Sequence, residues 1–484
     1  MRLEGIGLGS VTDLVSGKRL TGAELCAEAL RRAAILAGHR LGPGRAALIT
    51  HGGTPDFFCD LFAVWQLGAI AACANPGLTR DELATVAGFL APRVILANEG
   101  FAHGQGLTMP ILELKREGGS AALSVPAEVS AELDDTALLL FTSGTTGAPK
   151  GVAHSYRSIL ARLALNRAHI GVADLARTLC VLQTHFGHGL IGNCLTPLFA
   201  GADLYLHGAG GLATAASLSR LIDDHAIRFM SSVPSFWKIA LKAGKAPRNG
   251  SLARVHIGSA PLGADLWRQV MGWSGTDRVV NMYGITETAN WVGGASAAEG
   301  GPADGLIGRL WGGQAAILTA DGRHVAEGEG EILLQTPSLM QGYWQRPDLT
   351  RTVLQSGWFH TGDIGRLDAS GTLRLVGRQK DEINRAGMKI NPAEIDLFLE
   401  RHPQVAEACC FAMADEVSGE VVAAAIRPLE NDSLSPAELR AWCLERIRRE
   451  LVPERWFLLA EIPKTDRGKI NRNNVRQFCE GLKR

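Results

Sequence analysis

Neither sign of charge is in excess in this chain of 484 residues, where 49 Lys and Arg face 49 Asp and Glu. That balance, together with the lack of any Lys/Arg-dense run, argues against a nucleic-acid binder. No uninterrupted apolar run reaches membrane-spanning length, and no charged-then-apolar leader opens the sequence. A cytoplasmic protein without a membrane span is therefore expected. The nine cysteines are scattered and form no CxxC pair. Cys409 and Cys410 are adjacent in a strand-like stretch, so they would point to opposite faces and make poor metal partners. Reduced, mostly buried thiols are the expected state. Internal repeats and low-complexity tracts are also missing.

What is present is length enough for two domains and a regular alternation of strand and helix patterns. Thr21-x-x-Glu24 and Thr79-x-x-Glu82 are capping boxes, and Thr54-Pro55 opens another helix. Strand patterns lie at 46–50, 70–74 and 93–97, then at 178–183, 203–206, 228–231, 254–257 and 278–282. This order predicts an α/β fold with mostly parallel, doubly wound sheets. From about Gly305 the texture changes to short strands with Gly-rich turns, a small β-rich unit. A boundary near Lys380 separates this large N-terminal domain, residues 1–379, from a small α+β C-terminal domain, residues 380–484. In the latter, Asn391-Pro392-x-Glu394 and Ser435-Pro436-x-Glu438 start helices.

The stretch LLLFTSGTTGAPKG, Leu138–Gly151, begins as a buried strand and continues in Thr, Ser, Gly, Pro and Lys. Gly144 and Gly147 permit backbone conformations closed to other residues. Successive turns of this kind aim several N–H groups into one concavity suited to a phosphate. Thr142, Ser143, Thr145 and Thr146 add hydroxyls, and Lys150 adds a positive charge. Apolar residues at Ile159, Leu160 and Leu163 predict a helix over 154–170, which would put the loop between a strand and a helix. The usual NTPase loop is excluded, because Pro149 and Gly151 flank the lysine where that motif needs Gly and Ser/Thr.

Four further clusters carry polar chemistry. Tyr283-Gly284-Ile285-Thr286-Glu287-Thr288 follows a strand-like run, so it emerges where open α/β sheets bind ligands. A carboxylate beside a triphosphate repels it unless a cation intervenes, which makes Glu287 a candidate Mg²⁺ ligand, direct or through water. An ordinary helix start is the competing reading. Asp363, in Trp358-Phe359-His360-Thr361-Gly362-Asp363-Ile364-Gly365, is a candidate for ribose hydroxyls, against a plain Gly-Asp turn. Gly377-Arg378-Gln379-Lys380-Asp381, followed by Asn384, Arg385, Gly387 and Lys389, crowds charge at the domain boundary, where a solvated linker is the bland reading. Finally, Pro463-Lys464-Thr465-Asp466-Arg467-Gly468-Lys469-Ile470 holds a lysine in a Gly-containing loop that would otherwise be mere surface.

In this order the five clusters resemble the acyl-adenylate-forming superfamily: acyl- and aryl-CoA ligases, adenylation domains of peptide synthetases, and beetle luciferases. The resemblance covers nearly the whole chain, most strongly from Leu138 onward. It implies an ATP-dependent carboxylic acid ligase that forms an acyl-AMP with release of pyrophosphate, then an acyl-CoA thioester. Mg²⁺ would accompany ATP, and CoA would be the co-substrate. By the same resemblance, Thr142, Ser143, Gly144, Thr145, Thr146 and Gly147 hold the β- and γ-phosphates with Lys150. Tyr283, before Gly284, stacks on adenine, and Ser259 and Ala260 run along it. Thr286 contacts phosphate and Glu287 handles Mg²⁺, while Asp363 and Arg378 grip the ribose. Lys469 is the mobile lysine that reaches the substrate carboxylate and the α-phosphate, and Lys380 is the hinge between the two half-reactions.

The resemblance also lines an acyl pocket with the segments 184–193 and 233–237 and with residues after Glu287. This brings forward His185, Phe186, His188, Asn193, Trp237 and Trp291. Their largely small or apolar surroundings suit an uncharged acyl or aryl group. His185 or Phe186 takes the family's gating aromatic position; His188 and Asn193 either bind a polar substituent or satisfy each other. The Phe-Asp pair of amino-acid-activating domains is missing, and Asn384 stands where some relatives carry a lysine for the second half-reaction. Two alternatives stand beside the leading reading. One is a freestanding enzyme that passes the acyl group to an acyl carrier protein or an amine. The other is a catalytically silent acyl- or nucleotide-binding regulator, against which Lys469 and Glu287 argue.

Overall fold

In the computed structural model the described residues are 5–99, 101, 106–115, 131–142, 149–208, 211–297, 300–385, 388–415, 418–429, 434–465 and 468–482. The N-terminal helices start where local chemistry satisfies their first N–H groups. Thr21 and Glu24 form a reciprocal cap for the helix Gly22–Gly38, as Thr79 and Glu82 do for Arg80–Leu90. Helix Pro55–Gln66, capped by Thr54, is buried almost all round. Its Phe57, Phe58, Phe62 and Trp65 lie in a core shared by two sheets, which is what an apolar circumference requires.

Among the described residues, the first of those sheets has seven strands. Ala46–Ile49 pairs in parallel with Ile70–Cys73 and Val94–Leu96, and Ile70–Cys73 pairs in parallel with Thr136–Thr142. Alternate residues serve opposite faces: Ala47, Ile49, Leu138 and Leu140 enter the shared core, while Leu48, Ala72 and Leu139 pack toward helix Arg80–Leu90. Thr136–Thr142 then pairs antiparallel with Lys150–Ser155, which pairs antiparallel with Gly342–Tyr343.

Among the described residues, the second sheet has 15 strands. Its centre is parallel, with Arg254–Ile257 between Phe229–Ser232 and Val279–Gly284. The β-rich stretch is joined to it edge to edge, since Leu306–Leu310 pairs with both Trp291–Ala295 and Leu373–Arg378. Helices Leu212–Asp224, Pro234–Ala243 and Ala264–Ser274 cover one face. The third sheet, of five strands among the described residues, is built from Ile383 onward. Within it, Cys409 and Cys410 enter different core clusters on the two faces of one strand, as their adjacency requires. All nine cysteines are free, eight of them buried. The C-terminal sheet's elements touch the N-terminal ones through Lys238 and Glu400 at 2.7 Å and through an ion pair of Arg401 with Asp304. Among the described residues, no helix is long and apolar enough to cross a membrane.

One expected element differs. Residues 150–155 form a strand, and the helix begins only at Tyr156. The loop after Thr142 therefore joins two antiparallel strands rather than a strand and a helix. Ser155 explains the late start, because its hydroxyl accepts from the Ser158 N–H and caps the helix there. Pairing on both edges fixes the preceding residues as strand.

Candidate functional site

Residues Ser143, Gly144, Thr145, Thr146 and Gly147 lie outside the described residues, as does the side chain of Thr142. What anchors the loop is described: Thr142 and Lys150 are paired across the two strands that carry it. On the strand Lys150–Ser155, Lys150, Val152 and His154 share a face. Lys150 Nζ lies 3.8 Å from Glu287 Oε1 and 3.6 Å above the ring of Tyr343. The Tyr343 hydroxyl donates to the same Glu287 oxygen at 2.8 Å. His154 Nε2 meets the carbonyl of Thr286 at 2.8 Å. One strand thus braces the Thr286-Glu287 turn at two points. Burial pushes the His154 imidazole down to about 4, against the pull of the Thr286 carbonyl. Burial also lowers the Lys150 ammonium, Glu287 opposing and Lys380 and Arg346 reinforcing that shift.

Tyr283 and Gly284 end the strand Val279–Gly284. A Cβ at Gly284 would stand 2.3 Å from the carbonyl oxygen of Asn290, so only glycine lets the returning chain approach this closely. The Tyr283 hydroxyl donates to Asp363 Oδ2 at 2.7 Å, and Arg378 Nε donates to Asp363 Oδ1 at 2.7 Å. Burial raises the Asp363 carboxyl, with Arg378 and Tyr283 pulling it back; Arg378 is itself raised by Asp363. Two residues from different sequence clusters therefore meet on one carboxylate. A cavity of about 460 Å³ opens beside them, lined in part by Lys150, Glu287, Tyr343, Arg378 and Lys380.

Beyond the strand ends, Ser259 holds φ at +69°, a left-handed conformation costly for a residue with a side chain, and Ala260 next to it is exposed. His188 opens a π-helix, His188–Leu195, a form frequent at functional sites. Its Nδ1 lies 2.8 Å from Ser259 Oγ and its Nε2 2.6 Å from Ser231 Oγ. Burial drives its imidazole down to about 3, and the charge of Lys469 adds to that. Lys469 therefore lies within electrostatic reach of His188. Its loop is closed by the Thr465 N–H bonding to the Lys469 carbonyl at 2.8 Å, and a Cβ at Gly468 would lie 3.9 Å from the Ser235 hydroxyl. His188 and Asn193 do not satisfy each other; Asn193 Nδ2 instead donates to the Leu179 carbonyl at 3.1 Å.

His185 and Phe186 are both buried and meet edge to face at 5.5 Å. Trp291 stands against His188 with ring centroids 5.3 Å apart. Trp237 is not brought to this group. It is fully buried among the helices on the other face of the sheet, edge-on to Trp273 at 5.4 Å, and is a core residue. Tyr343 and His154 were not singled out by sequence; the only available signal was their alternation within short strands. Lys380 lies in the single turn Gln379–Asp381. A Cβ at Gly377, just before it, would stand 2.3 Å from the Asn391 side chain.

With this geometry in hand, the relatives are informative. The model of the AMP-binding enzyme family matches residues 10–344, and that of the AMP-binding enzyme C-terminal domain matches 394–469. The chain belongs to this family of AMP-binding enzymes. It is similar to an oxalate–CoA ligase of Arabidopsis thaliana, 31% identical over 96% of this chain and 94% of that protein. A sulfoacetate–CoA ligase of Cupriavidus necator is 34% identical over 76% of this chain and 73% of that one. The structure of the o-succinylbenzoate CoA synthetase from Bacillus subtilis, in complex with its acyl-adenylate intermediate, superposes with a TM-score of 0.85. It is 25% identical and covers 98% of this chain and 96% of that one.

Proposed function

We propose that the chain joins a carboxylic acid to CoA in two half-reactions. It is an AMP-forming acid–thiol ligase. In the first half-reaction a carboxylate oxygen attacks the α-phosphorus of ATP, the bond from that phosphorus to the bridging β-oxygen breaks, and pyrophosphate leaves. In the second, the CoA thiol sulfur attacks the acyl carbon, AMP departs, and a thioester remains. The observation that carries this reading is the cleft lined by Lys150, Glu287 and Arg378, where Arg378 and Tyr283 both bind the Asp363 carboxylate. Attack by one anion on another is opposed by repulsion, and Lys469 is the group that offsets it. Thr142–Gly147 and Lys150 hold the β- and γ-phosphates, with Thr286 contacting them. Tyr283, Gly284, Ser259 and Ala260 border the adenine. Asp363 and Arg378 take the ribose hydroxyls, which fits a buried carboxylate already holding two hydrogen-bond donors.

Mg²⁺ fits in a restricted way. Among the described residues no group of three His, Cys, Asp or Glu side chains gathers to hold a metal. Glu287 stands 3.8 Å from Lys150, and Mg²⁺ is commonly held by one or two carboxylates together with substrate phosphates. Bound there, it would neutralise phosphate charge. The boundary between residues 379 and 380 separates a mobile C-terminal domain, and Lys380 is the hinge about which it turns between half-reactions. His185, Phe186, His188 and Trp291 border the acyl group. The relatives' names favour CoA over a carrier protein as acceptor, and two of them point to small acids bearing a second acidic group. The free cysteines agree with a cytoplasmic location.

The test is a pyrophosphate-release screen over short aliphatic, long aliphatic, aryl and amino acids, with and without CoA. Release with one class, and a thioester only when CoA is added, is expected. Failure to release pyrophosphate with any acid would overturn the reading.

A further inference from the structure

Buried polar groups cluster on the central strand Arg254–Ile257 and beside it. His256 lies on the central strand Arg254–Ile257, in register with Ser231, whose hydroxyl holds His188. Its side chain is fully buried, and neither ring nitrogen has a hydrogen-bond partner among the described residues. Its ring lies edge-on to Trp291 and to Phe229, both at 4.9 Å between centroids. Trp291 Nε1 and Asn290 Nδ2, in side chains 2% and 5% exposed, are likewise buried and unpartnered among the described residues. These two side chains lie side by side against the π-helix. A Cβ at Gly192 would stand 2.1 Å from Asn290 Nδ2 and 2.8 Å from the Trp291 ring.

Two features give this cluster a direction and a chemistry. Gly468, next to Lys469, stands at Ser235, just past the C-terminal end of the strand Phe229–Ser232, and from there inward the ring contacts run from His188 to Trp291 to His256. The carboxylate to be activated belongs at the Lys469 end, so His256 faces the opposite end of the acid. The unpaired atoms are also mostly donors: an indole N–H, an amide NH₂ and, in a neutral imidazole, one N–H. Protein interiors seldom leave several such groups without partners, and a substrate acceptor group would supply one.

We infer that His256, with Trp291 and Asn290, forms a specificity subsite that selects a compact carboxylic acid carrying a second oxygen-bearing acceptor group at its far end. This rests on the adenylating activity proposed above and adds a polar end group to the sequence-based expectation of an acyl or aryl substrate. The acceptor is a carboxylate, a sulfonate or a keto oxygen. All three share the feature that the subsite reads, a lone pair presented to buried N–H groups.

The test uses matched acids of equal length with the purified full chain, read by ATP–pyrophosphate exchange. The pairs are butyrate against succinate, propionate against sulfoacetate, and pentanoate against 4-oxopentanoate. The acceptor-bearing member should be preferred in kcat/KM by about ten- to a hundred-fold in at least one pair. The first two pairs report an anionic end and the third a neutral one. In His256→Phe that preference should collapse to within about threefold, mostly through the acid's KM, with the KM for ATP unchanged. Trp291→Phe, which keeps an aromatic ring but loses the N–H donor together with part of the indole, should shift the same preference in the same direction and guards against misfolding of the first variant. If every unsubstituted acid is used as well as its partner, or if both folded variants keep the parental preference, the subsite is wrong while the ligase reading stands. If no acid supports exchange, the ligase reading falls and takes the subsite with it.

Discussion

Replacing Tyr343 by Phe removes one hydroxyl and leaves the ring beneath Lys150 in place. That hydroxyl donates to Glu287 at 2.8 Å, and the Glu287 side chain is only 15% exposed. A hydrogen bond to a charged group in such a setting contributes about 1.5–3 kcal/mol. Taking about 2 kcal/mol, and about 1.4 kcal/mol per factor of ten, the loss corresponds to roughly thirty-fold in the step that depends on Glu287. Tyr343→Leu also removes the ring 3.6 Å from Lys150 Nζ. Since the Lys150 side chain is 30% exposed, that cation–ring contact adds only about 0.5–1 kcal/mol. The Leu variant should therefore fall a further two- to five-fold or so. The assay is ATP–pyrophosphate exchange across a series of Mg²⁺ concentrations, with circular dichroism to check folding. Both variants should lose kcat/KM for ATP and require more Mg²⁺ for half-maximal rate. A folded Tyr343→Phe enzyme indistinguishable from the parent at low Mg²⁺ would refute the idea that Tyr343 positions Glu287.

Three further outcomes are expected. Lys469→Ala should nearly abolish acyl-AMP formation, while thioester formation from presynthesised acyl-AMP survives better; equal loss of both half-reactions, each measured in single turnover, would contradict the assignment. Lys380→Pro should spare adenylation and impair thioester formation, and a variant normal in both steps would remove the hinge. Burial holds the imidazoles of His154, His188 and His256 below their ordinary range, the first two at about 4 and about 3. The unfolded chain takes up those protons near pH 6.5 and the folded chain does not, so stability should fall as pH drops from about 6.5 toward about 4. Three protons correspond to about 4 kcal/mol per pH unit at the steepest point. Urea midpoints compared at about pH 7 and about pH 5 measure this, and a midpoint that does not fall would refute it.

Where structure follows from neighbours in sequence, the sequence was readable. The caps at Thr21, Thr79 and Ser435 each need only a Glu three residues on, and all three helices begin there. Tyr283, Asp363 and Arg378 were found as separate motifs, and the fold brings Tyr283 and Arg378 onto the Asp363 carboxylate. Strand Lys150–Ser155 was missed because its second partner, Gly342–Tyr343, is remote in sequence, and the apolar spacing that follows is helical. Trp237 was misplaced for a different reason: which face of a sheet a covering helix occupies is decided by chain crossover, and residue type does not record it. His256 gave no signal, since one histidine among Arg254, Val255 and Ile257 reads as core until its unpaired nitrogens are seen.

The strand Lys150–Ser155 also sets limits on how the loop ahead of it can vary. It is gripped along both edges. A slip of one position in the ladder itself would turn Lys150 and His154 away together, unbracing both ends of the Thr286-Glu287 turn at once. Strand parity is therefore the intolerant variable. An engineer seeking to reshape the loop should leave residues 150–155 untouched.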